Sequence, residues 1–304
     1  MNPPLPSLTS TWHNATYPAI SPSRAELSAA GKTIIITGAG SGIGRATAQS
    51  FAKAGASKIV LIGRNVATLR ETQASLECSS SIHVADVTDE KALAAVAAAT
   101  GTWDVMILAA GYISPLASIR DSSVDDWWQS FETNVKGTMI ASKVFLPTAN
   151  PNRAAVVAFT AVVVFPAAQL VNLSGYITSK LAVIKLMEFL AAENPNVFAA
   201  ALHPGMIETK IFRGSGADPS KLPMDTGEAG LINTKVCSEA NSLRLIVELP
   251  ADFSVWLTSV EAAFLNGRSV WANWDVQELK AKEDEIRSGL LLTSGVYGWP
   301  FTSS

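Results

Sequence analysis

A single-domain α/β fold, a doubly wound parallel sheet with helices on both faces, is predicted by three features of this 304-residue sequence. Short runs of β-branched and aliphatic residues alternate with helical stretches at βαβ spacing, which requires parallel strands joined by right-handed crossovers. The first of these runs leads directly into a glycine-rich turn, Gly38-Ala-Gly-Ser-Gly42-Ile-Gly44, that opens a helix. No internal repeat and no linker splits the alternation.

Residues 1–30, rich in Pro, Ser, Thr and Ala, read as an N-terminal arm. It either lies extended on the domain, anchored by Trp12 and Tyr17, or hangs free. The domain proper, 31–273, begins with Thr33-Ile-Ile-Ile-Thr37, a run suited to a strand buried on both faces. After the glycine turn comes a helix over 45–54. A second strand over 58–62 and helix over 65–76 follow, then a third strand over 81–85 and an alanine-rich helix over 89–99. Asp104-Val-Met-Ile-Leu108 predicts the fourth strand, and Trp127, Trp128, Phe131, Val135 and Phe145 mark one long helix over 124–145. The fifth strand, 154–159, precedes the helix that carries Tyr176 and Lys180 to residue 193. The sixth, 197–202, ends at His203-Pro204-Gly205. The rhythm then breaks over 206–250, and a long irregular stretch after a strand's carboxyl end predicts a substrate lid. A helix over 250–264 and a last strand over 267–272 complete the domain. The C-terminal segment, 274–304, reads as a charged, solvated helix over 275–287 and a tail.

Composition excludes several classes. With 48% hydrophobic and 16% charged residues the chain can bury a large core. The net charge of −3 and the lack of a basic run argue against nucleic acid. No window reaches the ~20 apolar residues of a membrane helix. The start, Met1-Asn-Pro-Pro-Leu-Pro, lacks the basic and apolar regions of a secretory signal, so a cytoplasmic protein is expected and the sequons at Asn14 and Asn172 stay unmodified. Cys78 and Cys237 are read as free thiols, and His13, His83 and His203 have no partners that suggest a metal.

The chemistry centres on Tyr176-Ile-Thr-Ser-Lys180. The spacing places phenol and ammonium on one helix face, one turn apart. A nearby ammonium favours the phenolate and lowers the tyrosine's pKa, tuning it to exchange a proton with a carbonyl or alcohol. The glycines at 38, 42 and 44 let the backbone approach a pyrophosphate, whose charge then sits at the following helix's N-terminus. Where an NAD-binding strand end carries an acidic residue, this chain has Gly63 followed by Arg64. A guanidinium there pairs with a 2′-phosphate, so NADP(H) is preferred and NAD(H) remains open. Arg64 as a merely solvated strand-end residue is the alternative.

These landmarks stand in a familiar order: Thr37-Gly38-x-x-x-Gly42-x-Gly44, Asp86-Val-Thr-Asp, Ala109-Ala-Gly111, Asn134, Tyr176-x-x-x-Lys180 and Pro204-Gly205-x-x-x-Thr209. From about residue 31 to 270 the chain resembles the short-chain dehydrogenase/reductase family, and its overall look is similar to reductases of fungal secondary metabolism. The resemblance implies a Rossmann-like oxidoreductase interconverting a ketone or aldehyde with an alcohol. Tyr176 would be its acid/base, Lys180 the partner that lowers its pKa, and Asn134 the support of a water-mediated proton relay. The cofactor-binding residues it implies are Gly38, Ser41, Gly42, Ile43, Gly44, Arg64, Asp86, Val87, Ala110, Gly111, Tyr176, Lys180, Pro204, Gly205, Ile207 and Thr209. Of these, Asp86 would meet the adenine, Ala110 and Gly111 the adenosine ribose side, Ile207 and Thr209 the carboxamide, and Lys180 the nicotinamide ribose. Pairing through the helices of Asn134 and Tyr176 would make a homodimer or homotetramer.

Two departures stand out. The family's serine, about 13 residues before the tyrosine, counts to Val163, or to the dipeptide Thr160-Ala161 if the loop holds a two-residue insertion. Thr160 or Ser174 is then the candidate substitute hydroxyl. Losing an oxyanion donor lowers turnover by about 100- to 1000-fold, which still leaves an enzyme. A non-redox isomerase, dehydratase or cyclase of secondary metabolism is the alternative, and a nucleotide-binding partner without catalysis a third reading. The second departure, Leu108-Ala109 in place of two asparagines, predicts local repacking. Val162, Val163, Val164, Phe165, Leu170, Ile211 and Phe212 either line an apolar pocket for a hydrophobic small molecule or pack the core.

Overall fold

The computed structural model describes residues 3, 7–205, 207 and 240–295, with side chains from 247 onward in the last stretch. Strands β1 (Thr33–Thr37), β2 (Lys58–Gly63), β3 (Ser79–Val84), β4 (Val105–Leu108), β5 (Ala154–Phe159), β6 (Val197–His203) and β7 (Arg268–Trp271) form one seven-stranded sheet. All its pairings are parallel, in the order β3-β2-β1-β4-β5-β6-β7. The chain winds outward in both directions from β1 and β4. Their carboxyl ends, Thr37 and Leu108, therefore flank the crevice where ligands bind in such sheets.

Alternation of side chains across the pleat explains the two cores. Ile34, Ile36, Ile59 and Leu61 pack on one face of the sheet, while Ile35, Val60 and Ile62 pack on the other. The covering helices are α1 (Gly42–Lys53), α2 (Val66–Ala74), α3 (Glu90–Thr100), α4 (Val124–Phe131), α5 (Gly137–Phe145), α6 (Ser174–Glu193) and α7 (Ala240–Leu257). The short α8 (Val276–Ala281) and α9 (Glu283–Ser288) follow β7. Each well-formed start has a local cause: Asn65, Asp89, Ser123 and Asp275 accept backbone N–H groups at the starts of α2, α3, α4 and α8.

The structure corrects four expectations about elements and decides between two readings of a fifth. The third strand begins two residues earlier than the 81–85 reading, because Ser79 and Ser80 pair with Lys58 and Ile59 although they bury little. The helix over 124–145 is interrupted by a π-helical turn, Glu132–Lys136, between α4 and α5. The helix over 250–264 is instead α7, which runs through Pro250, followed by a 3₁₀ segment, Val260–Leu265. Proline favours a first helical turn, but here the helix extends on its N-terminal side as well. The segment over 275–287 is two helices with Val276, Leu279 and Ile286 fully buried, not a solvated one. Of the two readings of the arm, the packed one holds for its described part: Trp12, Ile20 and Leu27 are buried, and Trp12 bridges to Trp274. No described helix is long and apolar enough to cross a membrane.

Candidate active site

The glycine turn joins β1 to α1 at the crevice. Gly38 has φ of +66°, and a Cβ there would lie 2.7 Å from the amide nitrogen of Ala110. A Cβ on Gly44 would lie 2.4 Å from the Gly38 carbonyl oxygen, so only glycine lets the turn fold onto the helix. Gly42, at φ of +51°, has nothing within 4 Å of its missing Cβ. The Ser41 hydroxyl is exposed and caps no amide of α1, which leaves the first N–H groups of that helix without a side-chain acceptor. Backbone donors, a dipole and clearance together fit the pyrophosphate of a dinucleotide. Ile43 is half-buried against the core behind the turn.

At the end of β2, Gly63 offers no carboxylate, and the Arg64 side chain is 78% exposed, its Nη1 3.7 Å from Asp86 Oδ2. Partial burial of Asp86 opposes ionisation. The Thr88 amide and hydroxyl, at 2.9 and 2.8 Å, and the charge of Arg64 outweigh it and hold the carboxyl below its usual range. Val87 is buried against Gly137, where a Cβ would come within 2.7 Å of Val87 Cγ2. Arg45, the other cation at the turn, is occupied, bonding Gly40 O, Thr72 Oγ1 and Glu71.

Beyond β4, the Ala110 N–H donates to Thr37 Oγ1. Asn134 holds Tyr112, two residues on, from both sides: its Oδ1 accepts from Tyr112 N at 2.8 Å and its Nδ2 donates to Tyr112 O at 2.9 Å. Nδ2 also donates to Ser179 Oγ at 2.9 Å, and Ser179 donates in turn to Tyr176 O at 2.7 Å. Asn134 therefore braces the loop and α6 with its side chain. Its carbonyl takes the Thr138 hydroxyl at 2.7 Å. Ser179, one residue before the lysine, was not singled out from the sequence; its only signal there is its place inside the Tyr-to-Lys segment.

Tyr176 and Lys180 share one face of α6, the ammonium 5.8 Å from the ring centroid. Lys180 is buried and donates to Phe159 O at 2.8 Å. Its Nζ lies 3.7 Å from where a Gly111 Cβ would stand, so it reaches the crevice beside the glycine turn. The expected lowering of the tyrosine's pKa is not what this geometry gives. Burial pushes the phenol up to about 12 and draws the lysine down to about 8, because desolvation opposes charge on both. The Tyr176 hydroxyl makes no hydrogen bond to another described residue, which leaves it open to a substrate oxygen.

The strand end decides between the two counts for the missing serine. The Thr160 N–H bonds Leu202 O, continuing the β5–β6 ladder, while Val163 lies in the turn beyond. The two residues at the end of β5 are thus Thr160 and Ala161, and both are buried. Thr160 Oγ1 donates to Lys180 O at 3.3 Å, so its proton is already used. Ser174 accepts from Trp127 Nε1 at 3.0 Å. Two positions before the tyrosine on a helix, it faces α4, away from the phenol. Neither hydroxyl is poised as a ready replacement. Val162 and Leu170 are core residues, which favours packing over a pocket for these two, and Val164 is exposed. Thr209, Ile211, Phe212 and Cys237 lie outside the described residues, as does most of the expected lid.

At the end of β6, His203 is buried and stacks on Trp271 with centroids 3.8 Å apart. Burial lowers its pKa to about 3, and its Nδ1 accepts from Gly205 N at 3.0 Å. It is a neutral brace of the turn. Gly205 has φ of +92°, and its carbonyl accepts from Ile207 N at 3.0 Å. Among the described residues no group of three His, Cys, Asp or Glu side chains is placed to hold a metal.

A family model for short chain dehydrogenases matches residues 32–220. Two similar curated proteins are the short chain dehydrogenases pigC and citE of Monascus ruber. PigC is 36% identical over 93% of this chain and 91% of its own; for citE the values are 33%, 93% and 96%. A Claviceps purpurea short chain dehydrogenase/reductase is 32% identical over 96% of this chain and 95% of its own. Among solved structures, a Beutenbergia cavernae protein with NADP bound at low occupancy superposes with a TM-score of 0.66 and 27% identity. That match covers 84% of this chain and 99% of the other. The Escherichia coli oxidoreductase yciK shares the fold, with a TM-score of 0.65 and 19% identity over 82% of this chain and 98% of its own. The chain belongs to the short-chain dehydrogenase family of oxidoreductases. Its relatives carry dehydrogenase or reductase names and lend no support to the isomerase, dehydratase or cyclase alternative.

Proposed function

We propose that this chain is an NADP(H)-dependent oxidoreductase that interconverts a ketone or aldehyde and an alcohol on a hydrophobic small molecule of secondary metabolism. The observation that carries the reading is the reach of Lys180 Nζ to Gly111, which brings the Tyr176/Lys180 pair and the nucleotide turn to one crevice. The nucleotide would be held by Gly38, Ser41, Gly42, Ile43 and Gly44 at its pyrophosphate, by Asp86, Val87, Ala110 and Gly111 on the adenosine side, and by Pro204, Gly205, Ile207 and Thr209 at its nicotinamide end. Exposed Arg64 after Gly63 supports the 2′-phosphorylated form, and the NADP held by the Beutenbergia protein agrees with it.

The bound nucleotide supplies the hydride; the chain supplies proton and orientation. With its pKa near 12, Tyr176 is a protonated phenol at neutral pH and gives its proton to the substrate oxygen during reduction. Lys180, charged below about pH 8, stabilises the phenolate left behind. Asn134 fixes the loop and α6 at the separation the pair needs. With Ala161 at the strand end, the phenol is the donor that orients the substrate oxygen, and a slow turnover follows. Exposed apolar residues on α4, α5 and α6, including Trp128, Met139, Leu181 and Phe189, support a homodimer or homotetramer.

The test is a titration with NADPH and NADH in wild type and in Arg64→Ala. Tighter binding of NADPH, lost in the variant, is expected. Failure of the wild type to bind either nucleotide would overturn the reading.

A further inference from the structure

The N-terminal arm reaches the candidate site through a continuous series of contacts. The Glu278 carboxylate accepts from the Ser10 hydroxyl at 2.9 Å and the Thr11 N–H at 3.0 Å. The next two residues meet the segment at and after β7. Trp12 packs on Trp271 with centroids 5.7 Å apart. His13 N donates to Asn273 O at 2.8 Å, and Asn273 Nδ2 donates back to His13 O at 2.9 Å. Trp271 and Asn273 are in turn the residues that flank the turn after β6. Trp271 stacks on His203, whose ring accepts the Gly205 N–H. Asn273, itself buried, lies against Gly205: a Cβ there would stand 3.0 Å from Asn273 Oδ1. The positive φ of Gly205 is therefore held on one side by an imidazole and on the other by an amide clamped to the arm.

We propose that Asn273, fixed by the arm at His13, is a positioning residue for the Pro204-Gly205 turn and thereby for the nicotinamide end of the cofactor. This rests on the nucleotide reading above, and the two fail differently. The pyrophosphate turn follows β1 and Arg64 follows β2, at the other end of the sheet from the turn after β6 that Asn273 lies against. Loosening the clamp should then cost nicotinamide contacts and spare adenosine contacts.

The probes are NADPH and adenosine 2′,5′-bisphosphate, titrated by calorimetry against wild type, Asn273→Ala and Glu278→Ala. Asn273→Ala is expected to weaken NADPH about tenfold, one hydrogen bond's worth, with bisphosphate affinity within about twofold. Glu278→Ala, which frees the arm far from the crevice, shifts NADPH in the same direction and carries the test if Asn273→Ala fails to fold. Equal weakening of both probes, or no change in either, would overturn the positioning role. So would a wild type that binds NADPH no tighter than the bisphosphate. A wild type that binds neither probe overturns the nucleotide reading and, with it, this one.

Discussion

Tyr176 and Lys180 show how burial sets the working pH. Burial draws Lys180 down to about 8, so in the proposed reaction the phenolate would lose its stabilising charge above that value. Carbonyl reduction is expected to fall as pH rises through about 8, read from initial rates across pH 6 to 10. Tyr176→Phe removes the donor and should lower turnover by about 100-fold or more with NADPH affinity retained. Gly44→Ala fails earlier in the cycle, since its Cβ meets the Gly38 carbonyl at 2.4 Å; NADPH binding is the readout. The pairing of the tyrosine and lysine was legible from their spacing, because helix periodicity alone puts them together. Their pKa values were not, because desolvation depends on what the fold packs around them.

Among the elements, the π-helical turn at Glu132–Lys136 was invisible in the apolar pattern, which runs smoothly from Trp127 to Phe145. Its extra residue rotates Asn134 inward to meet Tyr112 and Ser179. Asn134→Ala would leave the half-buried N–H and carbonyl of Tyr112 unpaired, and should cost about 1–3 kcal/mol in urea unfolding. NADPH affinity should fall with it, because Tyr112 adjoins Gly111. Strand assignments fared better where burial is complete: β1, β4 and β5 read as unbroken apolar runs. The edge strand β3 misled at its start, since Ser79 and Ser80 join it through backbone bonds that residue type does not announce. Likewise Thr160-Ala161 directly follow β5, where Thr160 bonds Leu202, and counting back from the tyrosine alone left their place open.

For the molecule as a whole, the termini close on each other around Glu261. Its carboxylate takes Arg24 from the arm at 2.7 Å, Lys280 from α8 and the Trp256 indole from α7 at 3.2 Å. Burial opposes the charge, but these donors prevail and lower the carboxyl to about 2 from an ordinary 4.5. A depressed carboxyl stabilises the fold above its unfolded pKa and ceases to do so as protons bind. The contribution, roughly 3 kcal/mol, is present above about pH 4.5 and lost on the way down to pH 2. Glu261→Gln should therefore melt well below wild type at pH 7 and close to it at pH 2.5, as calorimetry would show. By itself the sequence determined the alternating α/β plan, the glycine turn and the Tyr176/Lys180 pair, since periodicity and glycine sterics are local properties. Only the tertiary structure decided that arm, α8 and α9 pack as one unit with β7, that Asn134 is a brace, and that the pair is desolvated. Each of these depends on contacts between residues far apart in the chain, whose partners no local pattern names.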